Sequence, residues 1–180
     1  FTINLKNNII QIHSKIKLDW TVSLVDTGLN TMTGGRLLRL KEYIGKNNFM
    51  LTYGDGLSNI DISKLNKFHR LNKKIVTVSA VRPIARFGEL NIKNDHVKSF
   101  QEKPQISDGW INGGFFVMEP EFLNLIKNDE TILEKEPLEK AVKMKELSAY
   151  KHEGFWQCMD TKRDRDRLEE IYNSGSAPWI

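Results

Sequence analysis

The fold of this chain is decided by residues 49–81, which read FMLTYGDGLSNIDISKLNKFHRLNKKIVTVSAV. Phe49–Tyr53 is a short apolar run that stops at a glycine-rich turn, and Lys74–Val81 is rich in β-branched residues, so each predicts a strand. Between them, apolar residues at positions 62, 65 and 68 predict an amphipathic helix that begins near Asp61 or Ser63. The stretch therefore reads as strand, helix, strand, with the second strand buried in the centre of a sheet.

The residues before this stretch extend the same alternation. Trp20–Val25 is rich in β-branched and aromatic residues and ends at Asp26-Thr27-Gly28, which predicts another strand. A helix is predicted over Gly35–Ile44, closed by Gly45. This order of strands and helices is typical of a crossover α/β sheet. At the amino terminus, Phe1–Ser14 alternates loosely and predicts one or two strands.

The pattern changes after Pro83. A hairpin is predicted over Phe87–Ile92 and His96–Phe100, and an apolar strand over Ile111–Met118. The remaining predicted elements are helices over Pro120–Ile126, Glu136–Lys145 and Lys162–Ser174 and a strand over Leu147–Lys151. The sequence shows no internal repeat, linker or low-complexity tract. We therefore expect residues 1–180 to form a single α/β domain with an antiparallel insertion.

Composition restricts the classes of partner. The 180 residues are 39% hydrophobic and 28% charged, as is typical of one soluble domain. The 27 basic and 23 acidic residues are interleaved, so we expect small anionic substrates and no nucleic acid. No run of about 18 apolar residues occurs, so we expect no membrane partner. Cys158 is the only cysteine, which excludes an internal disulfide and fits a cytoplasmic protein.

Acidic turns at strand ends are candidate metal sites, because ligands of open α/β sheets collect at the carboxyl ends of strands. Gly54 and Asp55 follow the predicted strand Phe49–Tyr53, and Asp160 follows the apolar segment before the last helix. A carboxylate between glycines suits Mg²⁺ and the close approach of a ligand. The alternatives are that Asp55 is a solvated turn residue and that Asp160 caps the helix beginning near Thr161.

Three further segments carry candidate binding residues. They are Thr33-Gly34-Gly35-Arg36, Glu102-Lys103 and Asn112-Gly113. The first opens a helix, where backbone amides favour anions or polar base edges. The second places an acceptor for sugar hydroxyls beside a cation for a phosphate, and the third places an amide beside a Gly-Gly backbone. Their structural alternatives are a plain helix start, a surface ion pair and a bulge within a strand.

The order of the motifs is far more specific than any one of them. Along the chain stand, in turn, DTG at 26–28, MTGGRL at 32–37, YGDG at 53–56, RFG at 86–88, FQEKP at 100–104, INGGFFV at 111–117 and FWQCMDT at 155–161. From about Trp20 to Trp179 the chain resembles the glucose-1-phosphate cytidylyltransferase family of sugar nucleotidyltransferases.

The resemblance implies a Rossmann-like, GT-A-like nucleotidyltransferase fold and a Mg²⁺-dependent reaction. In it, glucose 1-phosphate attacks the α-phosphate of CTP, giving CDP-glucose and pyrophosphate. The resemblance makes Asp55 and Asp160 the catalytic metal ligands. It assigns sugar-phosphate binding to Glu102, Lys103, Asn112 and Gly113, and nucleotide binding to Thr33, Gly34, Gly35, Arg36 and Gly54. It also implies a homo-oligomer of the intact protein and a role in lipopolysaccharide O-antigen biosynthesis.

One departure from the family concerns the triphosphate. In the family, a Gly-Gly-x-Gly-Thr-Arg-Leu loop and a lysine near it hold the triphosphate. This sequence contains no such loop with its neighbouring lysine, and Phe1–Asp19 matches the family weakly. We therefore expect the chain to be the carboxy-terminal two-thirds of an amino-terminally truncated family fold, inactive by itself. Two alternatives remain open: a nucleotide-sugar-binding domain without catalysis, and a nucleotidyltransferase that uses UTP or dTTP.

Overall fold

A computed structural model of the chain describes residues 2–13, 19–83, 89–101 and 109–180. The strands are β1 (Thr2–Asn4), β2 (Ile9–Gln11), β3 (Phe49–Thr52), β4 (Gly56–Ser58), β5 (Val76–Val81), β6 (Glu89–Lys93), β7 (His96–Gln101), β8 (Ile111–Met118), β9 (Leu147–His152) and β10 (Trp156–Cys158). The α-helices are α1 (Thr33–Arg39), α2 (Lys41–Ile44), α3 (Ile62–Asn72), α4 (Glu136–Lys143) and α5 (Lys162–Asn173). A 3₁₀-helix spans Pro120–Leu125.

The main sheet has four strands in the order β3-β8-β5-β9. β8 is antiparallel to both of its neighbours, whereas β5 and β9 are parallel. Because β8 is antiparallel to both β3 and β5, those two strands run in the same direction. The α/β class with a mixed sheet is therefore confirmed. The sheet places the carboxyl ends of β3, β5 and β9 at one edge, beside the start of β8.

Both faces of β8, one of the two interior strands of the main sheet, are covered. Phe116 and Met118 pack into one cluster with residues of α1, the 3₁₀-helix and α4, while Val117 packs on the other side with Ile60 and Leu65. All three β8 side chains are almost completely buried. This double coverage explains why Phe115–Met118 is a continuous apolar run. Within the described residues, no helix has the length and hydrophobicity needed to cross a bilayer.

Several predicted elements are confirmed at nearly the predicted bounds. Ile111–Met118 is a strand as predicted, and the predicted central strand begins at Val76. The hairpin of β6 and β7 turns through Asn94 and Asp95, both with positive φ. Helix α3 begins after Asp61, whose carboxylate accepts from the Lys64 amide as an N-cap. The two amino-terminal strands form the antiparallel pair β1–β2.

Other predictions are wrong. Residues 19–28 have no regular secondary structure, although a strand is predicted at Trp20–Val25. The Trp20 side chain is 74% exposed, and a strand needs a neighbouring strand for its backbone hydrogen bonds. The helix predicted over Gly35–Ile44 is divided at Leu40, whose backbone leaves helical geometry. The short strands β4 and β10 pair with each other and are missing from the prediction.

Candidate active site

The candidate site lies where the carboxyl ends of β3 and β5 meet the beginning of β8. Thr52 of β3 is opposite Phe115, and Val81 of β5 is opposite Ile111. The turn at residues 53–55 and the predicted pair Asn112-Gly113 are therefore brought to the same edge of the sheet. This is the edge at which ligands of open α/β sheets bind.

The two predicted metal ligands lie on neighbouring backbone segments. Strands β4 and β10 pair Gly56 with Cys158, and beyond that pair the Met159 amide donates to the Asp55 carbonyl at 2.8 Å. Asp160 is the next residue, and both aspartates are exposed. One backbone pairing therefore holds the two aspartates at adjacent strand ends.

Asp160 is not the cap of helix α5, so that alternative is wrong. Thr161 is the N-cap, and its hydroxyl and the Asp164 carboxylate form a reciprocal capping box. The Cys158 thiol donates to Asp160 Oδ2 at 3.3 Å. Burial, reinforced by the nearby Asp160 carboxylate, raises the pKa of the Cys158 thiol. Thr161, and not Asp160, is therefore the N-cap of α5, and Asp160 lies between the end of β10 and that cap.

Asn112 has a fixed orientation at the start of β8. Its Oδ1 accepts from the Gly114 amide at 2.8 Å, and its Nδ2 donates to the Tyr53 hydroxyl at 3.1 Å. Since these bonds use different ends of the amide, they determine which end faces Tyr53. Burial, followed by a hydrogen bond to Glu134, raises the pKa of the Tyr53 hydroxyl.

Close packing explains why residue 113 is a glycine. A Cβ atom there would lie 2.7 Å from Ser79 Oγ and 2.8 Å from Val81 Cγ1. The register between β5 and β8 also shifts at this point, as the bulge alternative expected. The Gly113 carbonyl accepts from Trp156 Nε1 at 2.8 Å, which connects β8 to β10 just before Asp160.

The expectation that the amides of Gly34 and Gly35 are open to a nucleotide is wrong. Both donate to the Thr131 carbonyl, at 2.9 and 3.3 Å, and the Met32 amide donates to the Asp129 carbonyl. A Cβ atom on Gly35 would lie 2.5 Å from Asp129 Cα, so the glycines permit helix α1 to approach this loop. Contacts to a nucleotide would have to come from side chains or from carbonyl groups.

Two arginines of α1 bind neighbouring loops. Arg36 donates to Thr27 Oγ1 at 2.8 Å and to the Leu29 carbonyl at 3.1 Å, which orders the loop before the helix. Arg39 donates twice to the Asp129 carboxylate, and this hydrogen-bonded pair lowers the pKa of the Asp129 carboxyl group. The arginines therefore fix the loops on either side of Thr33.

Glu134 is a further candidate site residue, absent from those predicted from the sequence. Its carboxylate accepts from Thr33 Oγ1 at 2.9 Å and from the Tyr53 hydroxyl at 2.7 Å. These partners are 101 and 81 residues away in sequence, so no local pattern could reveal the contact. Glu134 links the predicted nucleotide segment at Thr33 to the strand end at Tyr53.

Glu102 and Lys103 lie outside the described residues, directly after β7. Their contact with a sugar phosphate stays a prediction.

Comparison with known proteins places the chain in a family. The nucleotidyl transferase family matches residues 5–161. Glucose-1-phosphate cytidylyltransferase of Salmonella typhimurium is 46% identical over 99% of the chain and 70% of the relative. The chain belongs to the glucose-1-phosphate cytidylyltransferase family. A probable member from Bacillus subtilis is 39% identical over 89% of the chain and 63% of the relative.

Solved structures of other nucleotidyltransferases superpose on this chain. HddC from Yersinia pseudotuberculosis superposes with a TM-score of 0.59 at 22% identity, covering 80% of the chain and 64% of HddC. UDP-glucose pyrophosphorylase complexed with UDP-glucose superposes with a TM-score of 0.60 at 16% identity, covering 85% of the chain and 66% of that protein. The Rossmann-like, GT-A-like nucleotidyltransferase fold is therefore confirmed. The chain spans slightly less than two-thirds of the length of both solved structures.

Proposed function

We propose that a protein containing this chain transfers the cytidylyl group of CTP to glucose 1-phosphate. An oxygen of the glucose 1-phosphate phosphate attacks the α-phosphorus of CTP and forms the new phosphorus–oxygen bond. The bond between the α-phosphorus and the bridging oxygen to the β-phosphate breaks, and pyrophosphate leaves with that electron pair. The products are CDP-glucose and pyrophosphate.

The observation that carries this proposal is the 46% identity to the Salmonella enzyme over 99% of the chain. The guanyltransferase relatives match less closely, at 27% identity for the mannose-1-phosphate enzyme of Aspergillus oryzae. Asp55 and Asn112 lie at one edge of the main sheet, and Asp160 follows the segment that pairs with Asp55. This arrangement supports a phosphoryl-transfer reaction, because such reactions depend on charge neutralisation and positioning.

We propose Mg²⁺ as the metal and Asp55 and Asp160 as its protein ligands. Both are hard oxygen donors, which Mg²⁺ prefers. The described part of the chain holds no group of three or more His, Cys, Asp or Glu side chains able to bind a metal. Two carboxylates suit Mg²⁺, which commonly keeps waters and binds substrate phosphates. When bound, the ion would neutralise charge on the phosphates, while the Asp55–Met159 backbone pairing keeps the two ligand segments together.

The remaining site residues divide into two groups. We assign the sugar phosphate to Glu102, Lys103, Asn112 and Gly113, and the nucleotide to Gly54 and the segment Thr33-Gly34-Gly35-Arg36, in which Gly34 and Gly35 contribute through close packing and not through their amides. Within the nucleotide group, the Thr33 hydroxyl donates to Glu134, which also accepts from the Tyr53 hydroxyl at the end of β3. The two glycines after Thr33 permit close packing. Asn112 reaches the same strand end from β8 through the Tyr53 hydroxyl.

Three broader proposals accompany this function. The chain forms a single domain that corresponds to about two-thirds of the family fold. Turnover requires the triphosphate-binding part of the family in addition to these 180 residues. The intact protein is a cytoplasmic homo-oligomer that supplies CDP-glucose for O-antigen biosynthesis. Comparing pyrophosphate release by the 180-residue chain with release by a longer polypeptide that carries it tests the second proposal, which equal rates would refute.

The main experiment measures pyrophosphate release with glucose 1-phosphate, Mg²⁺ and, separately, CTP, UTP, dTTP and GTP. We expect CTP to be preferred, and a clear preference for another nucleotide would overturn the assignment. Binding of glucose 1-phosphate or CDP-glucose without turnover in such a longer polypeptide would favour the non-catalytic alternative.

The metal assignment has its own variants. Asp55→Asn should reduce turnover by at least about 100-fold while leaving the fold intact, because it removes charge but little volume. Asp95→Asn is the matched control, since Asp95 is an exposed aspartate in the hairpin turn, where asparagine tolerates positive φ. Equal turnover in the two variants would exclude Asp55 as a metal ligand.

A further inference from the structure

The Glu134 carboxylate is the meeting point of two hydrogen-bond chains from opposite sides of the site. Glu134 lies in the loop before helix α4, directly after the buried residue Leu133. Its own side chain is exposed. The hydrogen bonds to its carboxylate therefore do not compensate for burying the charge of Glu134 itself.

The first chain comes from the predicted nucleotide segment. The Leu133 amide donates to Thr33 Oγ1 at 2.9 Å, and Thr33 Oγ1 donates its proton to Glu134 Oε2 at 2.9 Å. The threonine hydroxyl has one proton to donate, and this bond uses it. The first residue of helix α1 is thereby held against the loop that carries Glu134.

The second chain comes from the predicted sugar-phosphate segment. Asn112 Nδ2 donates to the Tyr53 hydroxyl at 3.1 Å, and that hydroxyl donates to Glu134 Oε1 at 2.7 Å. The other end of the Asn112 amide accepts from the Gly114 amide, so Asn112 cannot turn over without losing both bonds. Each donor in the chain points toward Glu134.

The parts that converge on Glu134 are held by rigid backbone. The Tyr53 ring packs edge-on against Phe116, with centroids 5.8 Å apart, and lies against the bare backbone of Gly114. On the other side, the Gly34 amide donates to the Thr131 carbonyl at 2.9 Å, which fixes the turn next to Thr33. The carboxylate is the group that joins the two hydroxyls, so their separation depends on Glu134 as well as on the two walls.

We propose that Glu134 is a positioning residue that holds Thr33 and Asn112 in one geometry and so couples the nucleotide side of the site to the sugar-phosphate side. The inference rests on the proposed function. Glu134 acts through Thr33, Tyr53 and Asn112, and its role requires two acceptor oxygens. A glutamine has only one acceptor oxygen and cannot satisfy both hydroxyl donors in this arrangement.

The test compares Glu134→Gln with Glu136→Gln in a longer polypeptide that contains the chain and catalyses the reaction. Both variants remove one charge without changing volume, and Glu136 forms surface ion pairs with Lys127 and Lys140, away from Thr33 and Tyr53 in the described hydrogen-bond network. We expect Glu134→Gln to lower kcat/KM for both CTP and glucose 1-phosphate by about tenfold, the effect of one hydrogen bond to a charged group. Glu136→Gln should leave both constants unchanged.

A double-mutant cycle separates positioning from folding. Thr33→Val and Asn112→Ala should show coupled effects on kcat/KM when Glu134 is present, and the coupling should vanish in the Glu134→Gln background. Tyr53→Phe keeps the packed ring and removes only the bridging hydroxyl, so it should reproduce the loss of coupling in a folded protein. A purely structural role would lower thermal stability but leave the kinetic constants of the folded enzyme and the coupling intact.

The outcomes separate the two proposals. If Glu134→Gln turns over with unchanged kcat/KM values, or if the coupling between Thr33 and Asn112 persists in this variant, the positioning role is overturned. The proposed function stays in place in both cases. If the wild-type protein shows no turnover and calorimetry detects no binding of CTP or glucose 1-phosphate, the proposed function and the inference are overturned together. Additive effects of Thr33→Val and Asn112→Ala in the wild-type background would also overturn the positioning role.

Discussion

Replacing Gly114 by alanine should destabilise the protein through two separable effects. Gly114 has a φ of +80°, which costs an L-residue about 1–2 kcal/mol. An added Cβ would also lie 2.8 Å from Tyr53 Cδ2, and overpacking of this kind costs about 1–3 kcal/mol. We therefore expect Gly114→Ala to lower the free energy of unfolding by about 2–5 kcal/mol.

The assay is urea unfolding, with Gly175→Ala as the matched control. Gly175 also has positive φ, at +72°, but an added Cβ would meet nothing within 4 Å. The difference between the variants isolates the contact with Tyr53, and Tyr53→Val should recover part of it in the Gly114→Ala background. Equal destabilisation by Gly114→Ala and Gly175→Ala would refute the argument that the bare backbone of Gly114 holds the Tyr53 ring.

Three other predictions concern different parts of the molecule. Lys103→Ala should lower kcat/KM for glucose 1-phosphate at least about tenfold, because a cation facing the phosphate is lost; unchanged constants would make Lys103 a member of a surface ion pair. Thr161→Ala should lower the free energy of unfolding by about 1 kcal/mol in urea, whereas Thr161→Ser retains the capping hydroxyl and should stay near wild type. Trp156→Phe removes the donor to the Gly113 carbonyl and should cost about 1 kcal/mol in the same assay, and a wild-type value would show that the bond contributes nothing.

The sequence predicted those parts of the fold whose local pattern agrees with their burial. Val76–Val81 and Phe115–Met118 are β-branched or apolar runs that are largely buried in the sheet, and Asp61 is a side-chain cap, which is a local signal. Trp20–Val25 has equally good strand composition but lacks strand structure, because a strand requires pairing and composition does not specify a partner. Short strands such as Trp156–Cys158 are set by pairing alone.

The residues of the candidate site also separate into those whose positions the sequence predicts and those whose contacts depend on the tertiary fold. The positions of Asp55 and Asn112 at one sheet edge could be predicted because they follow or begin strands, and strand ends determine where ligands bind; their roles stay predictions. The role assigned to the amides of Gly34 and Gly35 was wrong because the competing acceptor, the Thr131 carbonyl, is far away in sequence. Glu134 was missed for the same reason, since a glutamate before a helix is common and only the tertiary fold brings Thr33 and Tyr53 to it.

The placement of β8 in the middle of the main sheet determines the order in which the chain can fold during synthesis. β3 and β5 emerge from the ribosome first but do not pair with each other, because each pairs with β8, which ends at Met118. The hairpins β1–β2 and β6–β7 can close locally, whereas each pairing of the main sheet joins strands that are not consecutive along the chain. Such long loop closures slow folding. The apolar residues of β5 therefore lack β8 until residue 118 has been synthesised and lack β9 until residue 152, and apolar surface left uncovered in this interval is prone to aggregate.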